Sequence, residues 1–306
     1  MLSPIAAWSN RTPCMLPAMP NSPAAPTVRR RRLGAALRSY RNNMGLSLDQ
    51  TAESMGWSGP KLSRIENAVQ GIRPGELPQL LDLYGVTDPE VRAALTALRA
   101  DSAKSGWWHA YSGLMRPTYA DYISLESDAL RICDWAPLLV PGLLQTAAYA
   151  RQTIAGITTT RTPEEVTALA EVRMARQSVL TRPGAPLELW AIVHEAALHQ
   201  RFAAQPATMR EQLRRLLDTA ELPNVTIQVM PLDSTAHPGL EGGFTLAEFQ
   251  PPLPTVALLE NTGTATYVEG EDTAPFERAY ERIRATALSV EDSRIRLIQL
   301  EEGLRK

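Results

Sequence analysis

Across residues 48–65 a small side chain, a glycine and three apolar side chains stand at spacings that few backbones satisfy. Two helices that cross closely need a small residue where they touch, and Ala52 occupies that place. The turn between them needs a residue at ease at positive φ, and Gly56 follows four positions later. Trp57, Leu62 and Ile65 then pin the second helix by its apolar side, leaving Gly59, Lys61, Ser63 and Arg64 on its outer face. A helix-turn-helix makes these demands, and its second helix, about residues 58–67, is the one that enters a major groove. A helical hairpin with no nucleic-acid role is the competing reading; it has no use for basic surroundings.

Those surroundings are helical and basic. Leu33, Leu37, Tyr40 and Met44 recur at intervals of four, three and four, with Gly45 as a stop. Ser47 and Gln50 make a capping box, and Ser58 is a further N-cap with Pro60 tolerated in the first turn. Leu77, Leu80, Leu81 and Tyr84 mark a fourth helix. Thr87, Asp88, Pro89 and Glu90 open a fifth that turns Val91, Leu95 and Leu98 inward. The pattern predicts an all-α domain of five short helices over residues 29–104. Between Arg29 and Arg73 nine Lys and Arg stand against three acids, a local charge of +6, whereas residues 74–306 carry 21 bases and 30 acids. One segment is built to approach a polyanion, and the rest is not.

A chain of 306 residues suits two domains. Residues 1–27 hold six prolines and no acid, so residues 1–28 are expected to form a disordered, proline-rich leader. A chain start at Met19 or near Val28 is the alternative, and a signal peptide fails for want of a basic start before an apolar core. The best apolar run, residues 136–144, is broken by Pro137 and Pro141 and falls short of the ~18 residues that cross a bilayer. Cys14 and Cys133 lie far apart, which excludes a disulfide scaffold or a cysteine-rich zinc site and fits a reducing cytoplasm. From residue 107 the pattern is mixed. Helices are expected over 119–132, 142–154, 163–180, 195–202 and 207–220, and strands over 187–193, 225–230, 244–249 and 256–260. Phe276, Tyr280, Ile283, Ala287 and Val290 form one last helical stripe. Residues 107–303 are therefore expected to be an α+β domain for sensing or partner binding.

Residues 33–86 resemble the XRE-type, phage-repressor-like helix-turn-helix, through Met55-Gly56-Trp57-Ser58 and Leu62-Ser63-Arg64-Ile65-Glu66-Asn67. The resemblance implies base-edge contacts from Gly59, Pro60, Lys61 and Arg64, with Ser58 and Ser63 nearer the phosphates; Gln50 joins this DNA-contacting set. It also implies a structural pair between Arg41 and Glu66. Leu48 stands where the family usually has a phosphate-binding Gln, and Thr51 where an aliphatic residue is usual. Gly59 and Pro60 remove two side chains that often read bases, so direct readout concentrates on Lys61 and Arg64. Residues 107–300 resemble the domain of unknown function found behind this motif in antitoxin-like regulators of high-GC bacteria. Tyr122-Ile123-Ser124-Leu125-Glu126, Leu139-Val140-Pro141-Gly142-Leu143-Leu144-Gln145-Thr146, His194-Glu195-Ala196-Ala197-Leu198, Asn224-Val225-Thr226-Ile227-Gln228-Val229-Met230-Pro231 and Ala287-Leu288-Ser289 carry it. It implies a second domain that senses something or binds a partner, often a small protein encoded nearby.

The chain therefore reads as a cytoplasmic, sequence-specific DNA-binding transcription regulator controlled by a small partner protein. The alternative is control by a small-molecule effector bound in the second domain, and an enzyme with a DNA-targeting domain is a distant third. Arg29, Arg30, Arg31 and Arg32 precede the first helix and are expected to reach phosphates or the minor groove like an arm. Neutralising them is expected to weaken binding evenly and flatten its salt dependence, and Arg64→Ala to relax sequence preference. One module reads few bases, so a homodimer on a near-palindromic duplex is expected. His194 and His199 diverge by about 140° on a helix at i, i+5, so they do not share a metal, and Glu195 reads as a cap or strand end. His237 and Glu241 lie in a loop and read as solvated. No cofactor, metal or membrane partner is expected. Trp107, Trp108, Tyr111 and Trp135 are expected to pack a core rather than line a ligand pocket. Glu126 and Gln145 receive no chemistry.

Overall fold

The first helix, α1 (Val28–Asn43), starts where the Thr27 hydroxyl accepts from the Arg30 amide. The computed structural model describes residues 27–101, 106–158, 160–203, 205–251, 253–261 and 264–304, so nearly all of the expected leader lies outside the described residues. Beyond α1, Gly45 turns the chain at φ +68. Next, α2 (Leu48–Ser54) opens on a complete capping box: the Ser47 hydroxyl accepts from the Gln50 amide while the Gln50 side chain accepts from the Ser47 amide. Gly56, at φ +64, makes the turn into α3 (Gly59–Glu66). Ser58 holds the N-cap position without a side-chain cap bond. Then come α4 (Glu76–Leu83) and α5 (Pro89–Asp101), with Asp88 accepting from the Glu90 and Val91 amides. Leu33, Leu37, Leu62, Ile65, Leu80 and Leu95 close one core. This is the expected five-helix domain.

A short 3-10 turn, Trp107–Tyr111, begins the second half. It leads through α6 (Pro117–Asp128), β1 (Arg131–Ala136), α7 (Ala147–Ile157), α8 (Pro163–Arg176) and β2 (Glu188–His194). The chain continues with α9 (Glu195–Leu198), α10 (Ala207–Thr219), β3 (Val225–Met230), β4 (Phe244–Glu248), β5 (Val256–Asn261) and β6 (Thr264–Glu269), and ends in α11 (Ala274–Thr286) and α12 (Val290–Gly303). The strands form one mixed sheet in the order β3-β2-β1-β4-β5-β6. β1 pairs parallel with β2 and β2 with β3, whereas β4, β5 and β6 run as antiparallel neighbours. Alternation decides which side chains meet which layer. Ile132, Ala191, Val193, Val229 and Ala247 face Leu144, Tyr149, Met209, Leu213 and Leu297. Cys133, Trp135, Ile192 and Leu246 face Tyr280 and Ile283 of α11. The second half is α+β, as expected.

The departures have local causes. Residues 119–132 are not one helix, because Ala129 is extended and Ile132 belongs to β1. Helix α7 starts only at Ala147, where the Thr146 hydroxyl caps it, and residues 142–144 form a 3-10 turn. Helix α9 stops at Leu198, short of residue 202. The last apolar stripe breaks at an extended Ala287, after which Ser289 caps a separate α12. Strand β6 was not read from the sequence at all.

The two halves share α1. Val28 is fully buried in the same cluster as Tyr122 and Leu125, so the first turn of α1 completes the core of the α+β half. No helix among the described residues is long and apolar enough to cross a membrane.

Candidate nucleic-acid interface

Ala52, Leu62 and Ile65 are buried where α2 and α3 meet the domain core, and Trp57 is half-buried beside them. A contact that the sequence did not announce fixes α1 against the end of α3. A Cβ at Gly34 would lie 2.5 Å from the Glu66 carbonyl oxygen, so only glycine permits this approach. Arg41 and Glu66 form a buried two-pronged pair, Nε to Oε1 at 2.7 Å and Nη2 to Oε2 at 2.9 Å. A third donor of Arg41 reaches the Leu46 carbonyl at 2.9 Å. The bonded Glu66 carboxylate raises the Arg41 pKa further, so this charge is fixed at every relevant pH.

Of the residues expected to contact DNA, Ser58, Pro60, Arg64 and Gln50 are exposed, and Gly59 and Ser63 are partly so. Gln50 is also the capping-box acceptor. Arg64 projects outward, with Nε donating to the Gln70 side chain at 3.2 Å. Lys61 does not. Its ammonium lies 2.6 Å from Glu76 Oε1 and 4.0 Å from the centre of the Trp57 ring. Burial disfavours the charged form of Glu76, but Lys61 and the Arg73 amide outweigh it and hold its pKa below the usual range. A partly exposed ion pair contributes about 0–1 kcal/mol, less than the ~1–3 kcal/mol of a good contact to a base. Lys61 is thus engaged within the domain rather than presented outward. Arg38 and Asn67, bonded to each other at the α1–α3 seam, are also exposed; Asn67 closes the motif without being counted among the expected contacts, and Arg38 lies outside it.

Two stretches of the chain match known families. Residues 32–95 match a helix-turn-helix domain family, and residues 119–299, more than half of the chain, match the Domain of unknown function (DUF5753). The chain belongs to the DUF5753 family. No curated protein and no solved structure matches it.

The expected arginine arm is instead a helical segment committed to the DUF5753 domain. Arg29 makes a two-pronged pair with Asp128, at 2.8 and 2.7 Å. Arg32 is 1% exposed, lies 3.3 Å from Asp128 Oδ2 and stacks over the Phe249 ring. Arg31 reaches Asp121 at 3.3 Å and stacks over Tyr267, with Glu269 at 3.8 Å. Burial pushes Glu269 up to about 7, and burial lowers Arg32 to about 10 against the pull of Asp128. Arg30 is partly buried beside Gly71, Ile72 and Arg73. Four consecutive arginines on a helix cannot all face one way, and here three of them meet carboxylates.

The DUF5753 domain holds a second polar assembly near the C-terminal end of β1. Glu126 and Arg176, both essentially buried, pair at 2.7 Å through Nε, and Arg176 also donates to the Tyr119 hydroxyl at 2.6 Å. Gln145 donates to the Val140 carbonyl and accepts from Arg173 at 3.0 Å. Asp134 accepts from Thr245 at 3.2 Å, and burial pushes its carboxyl up to about 7. Trp135 borders the cleft between these groups, whereas Trp108 packs with Met115 and Val172 and Trp107 is exposed. His199 and Arg296 both contact Glu195, whose backbone opens α9, and the His194 ring caps that helix. His237, read as solvated, is buried against Trp135, and burial lowers its pKa.

Proposed function

We propose that the chain is a cytoplasmic, sequence-specific DNA-binding transcription regulator whose α3 enters the major groove. The exposed Arg64 on an otherwise short-side-chain helix face, inside the one basic segment of an acidic chain, carries the reading. Arg64 reads guanine, and Lys61 leaves Glu76 to join it when DNA offers a better partner. Gln50, Ser58 and Ser63 serve phosphates, and a homodimer doubles the bases read. Control enters through the DUF5753 domain. A small partner protein encoded nearby, as in antitoxin-like regulators, is one source of control, supported by resemblance. A small-molecule effector is favoured by one observation, the polar-lined cleft at the end of β1. The test is a fluorescence-anisotropy salt series on an operator-bearing duplex and a scrambled one. Arg64→Ala should narrow the affinity gap between the two duplexes by a factor corresponding to ~1–3 kcal/mol. An unchanged gap removes α3 as the reading helix.

A further inference from the structure

The strand order reverses beside β1: the chain leaves it toward β2 on one side, while β4 on the other side is reached only after β3. Open sheets place ligand crevices outside the carboxyl end of a strand at such a reversal. A cleft of about 320 Å³ opens there, at the small end of metabolite sites. Its walls carry both signs of charge. Arg173 donates to Gln145 and meets no carboxylate among the described residues. The deeper Arg176 is already matched by Glu126. Among the described residues Asp134 accepts only the Thr245 hydroxyl, and Glu260, exposed on the same face of the sheet, has no ion pair. A simple organic acid would leave the carboxylates unmatched, and a simple amine would leave Arg173 unmatched; each omission costs desolvation without compensation. Tyr119 and Tyr122 add rings for an apolar body.

We propose that this cleft binds a small zwitterion of amino-acid type, its carboxylate on Arg173 and its ammonium toward Asp134 and Glu260, and that α6 relays occupancy to α1. The relay rests on how α6 is decorated. Tyr119, Tyr122 and Glu126, at i, i+3 and i+7, share the stripe that faces the cleft and its buried ion pair. Asp121 and Asp128 lie on the opposite stripe, where they hold Arg31, Arg29 and Arg32 of α1. A shift of α6 that accommodates the ligand moves the carboxylates that anchor the DNA-binding domain. The proposal rests on the regulator reading for its purpose, but its chemistry stands apart from DNA.

The test uses the full chain without DNA and the twenty L-amino acids, each supplied singly. At least one should raise the melting temperature of the wild type and bind Arg173→Gln roughly ten- to hundredfold more weakly. Glu260→Gln, an exposed change that leaves folding alone, should weaken the same ligand. If Arg173→Gln does not fold, Glu260→Gln decides alone. No shift with any of the twenty, or a shift undiminished in the folded variants, overturns the site. Hydrogen exchange in α1 should change when the ligand binds, and unchanged exchange overturns the relay. None of these readouts requires DNA, so a failure here leaves the regulator reading intact, and a chain that selects no DNA leaves this one intact.

Discussion

Arg41 and Lys61 each place a positive charge on a glutamate, yet the two pairs differ in what their loss does. Arg41 and Glu66 are buried, so Glu66→Ala leaves an uncompensated guanidinium and should cost about 3–5 kcal/mol in urea denaturation. Glu76→Gln frees Lys61 at a partly exposed pair and should change stability by less than about 1 kcal/mol. Gly34→Ala forces α1 off the end of α3 and should cost about 1–3 kcal/mol in the same assay. A pH dependence follows from Asp134, whose carboxyl lies at about 7 when folded and near 3.8 when free. The folded chain holds that proton more tightly, so the contribution is fully present below pH ~4 and is lost as pH rises through 7. The stability gap between wild type and Asp134→Asn should therefore shift against the wild type from pH 5 to pH 8, and a gap constant across that range contradicts the burial of this carboxyl. Residues whose role follows from their own chemistry were legible in the sequence: Gly56 at positive φ, Ser47 and Gln50 at a cap, Ala52 at a crossing. Gly34 and Asp134 were not, because each owes its role to a neighbour from a distant part of the chain.

At the scale of elements, α1 and α6 join the two halves, and neither announced it. The arginines at the start of α1 looked like a free arm because charge runs are usually solvated, and the carboxylates that hold them lie some ninety residues or more along the chain. Asp128→Ala strands the buried Arg32 and should raise proteolytic nicking at the start of α1 without lowering the helix content of the whole chain. Neutralising Arg29 and Arg32 should likewise loosen this seam while leaving the salt slope of DNA binding unchanged; a flattened slope would restore the arm. The same distance explains which strands were read. β2 and β3 are apolar runs legible in themselves, whereas β1 carries Arg131 and Asp134 and becomes a strand only because β2 and β4 flank it. The break between α11 and α12 turns on the Leu288 backbone, whose amide donates to the Val229 carbonyl and whose carbonyl accepts from Gln228. That anchorage appears only once β3 is in place.

For the whole molecule, charge and architecture agree. The basic segment sits in the five-helix domain, part of its charge is turned inward to bind the acidic half, and what remains outward surrounds α3. A groove of about 890 Å³ is lined by Arg31 and Arg38 of α1 together with Glu269, Glu271 and Asp272, so both signs of charge meet in it. Helix α1 belongs to both cores, Val28 to that of the DUF5753 domain and Leu33 and Leu37 to that of the five-helix domain. The most direct measurement is selection of bound duplexes from a random DNA library by the purified full chain, repeated with Arg64→Ala. The wild type should enrich a near-palindromic site whose half-sites lie one helical turn apart, and Arg64→Ala should lose the preference at one position of each half-site. Enrichment of no sequence by the wild type, or an identical site selected by both proteins, would contradict the account.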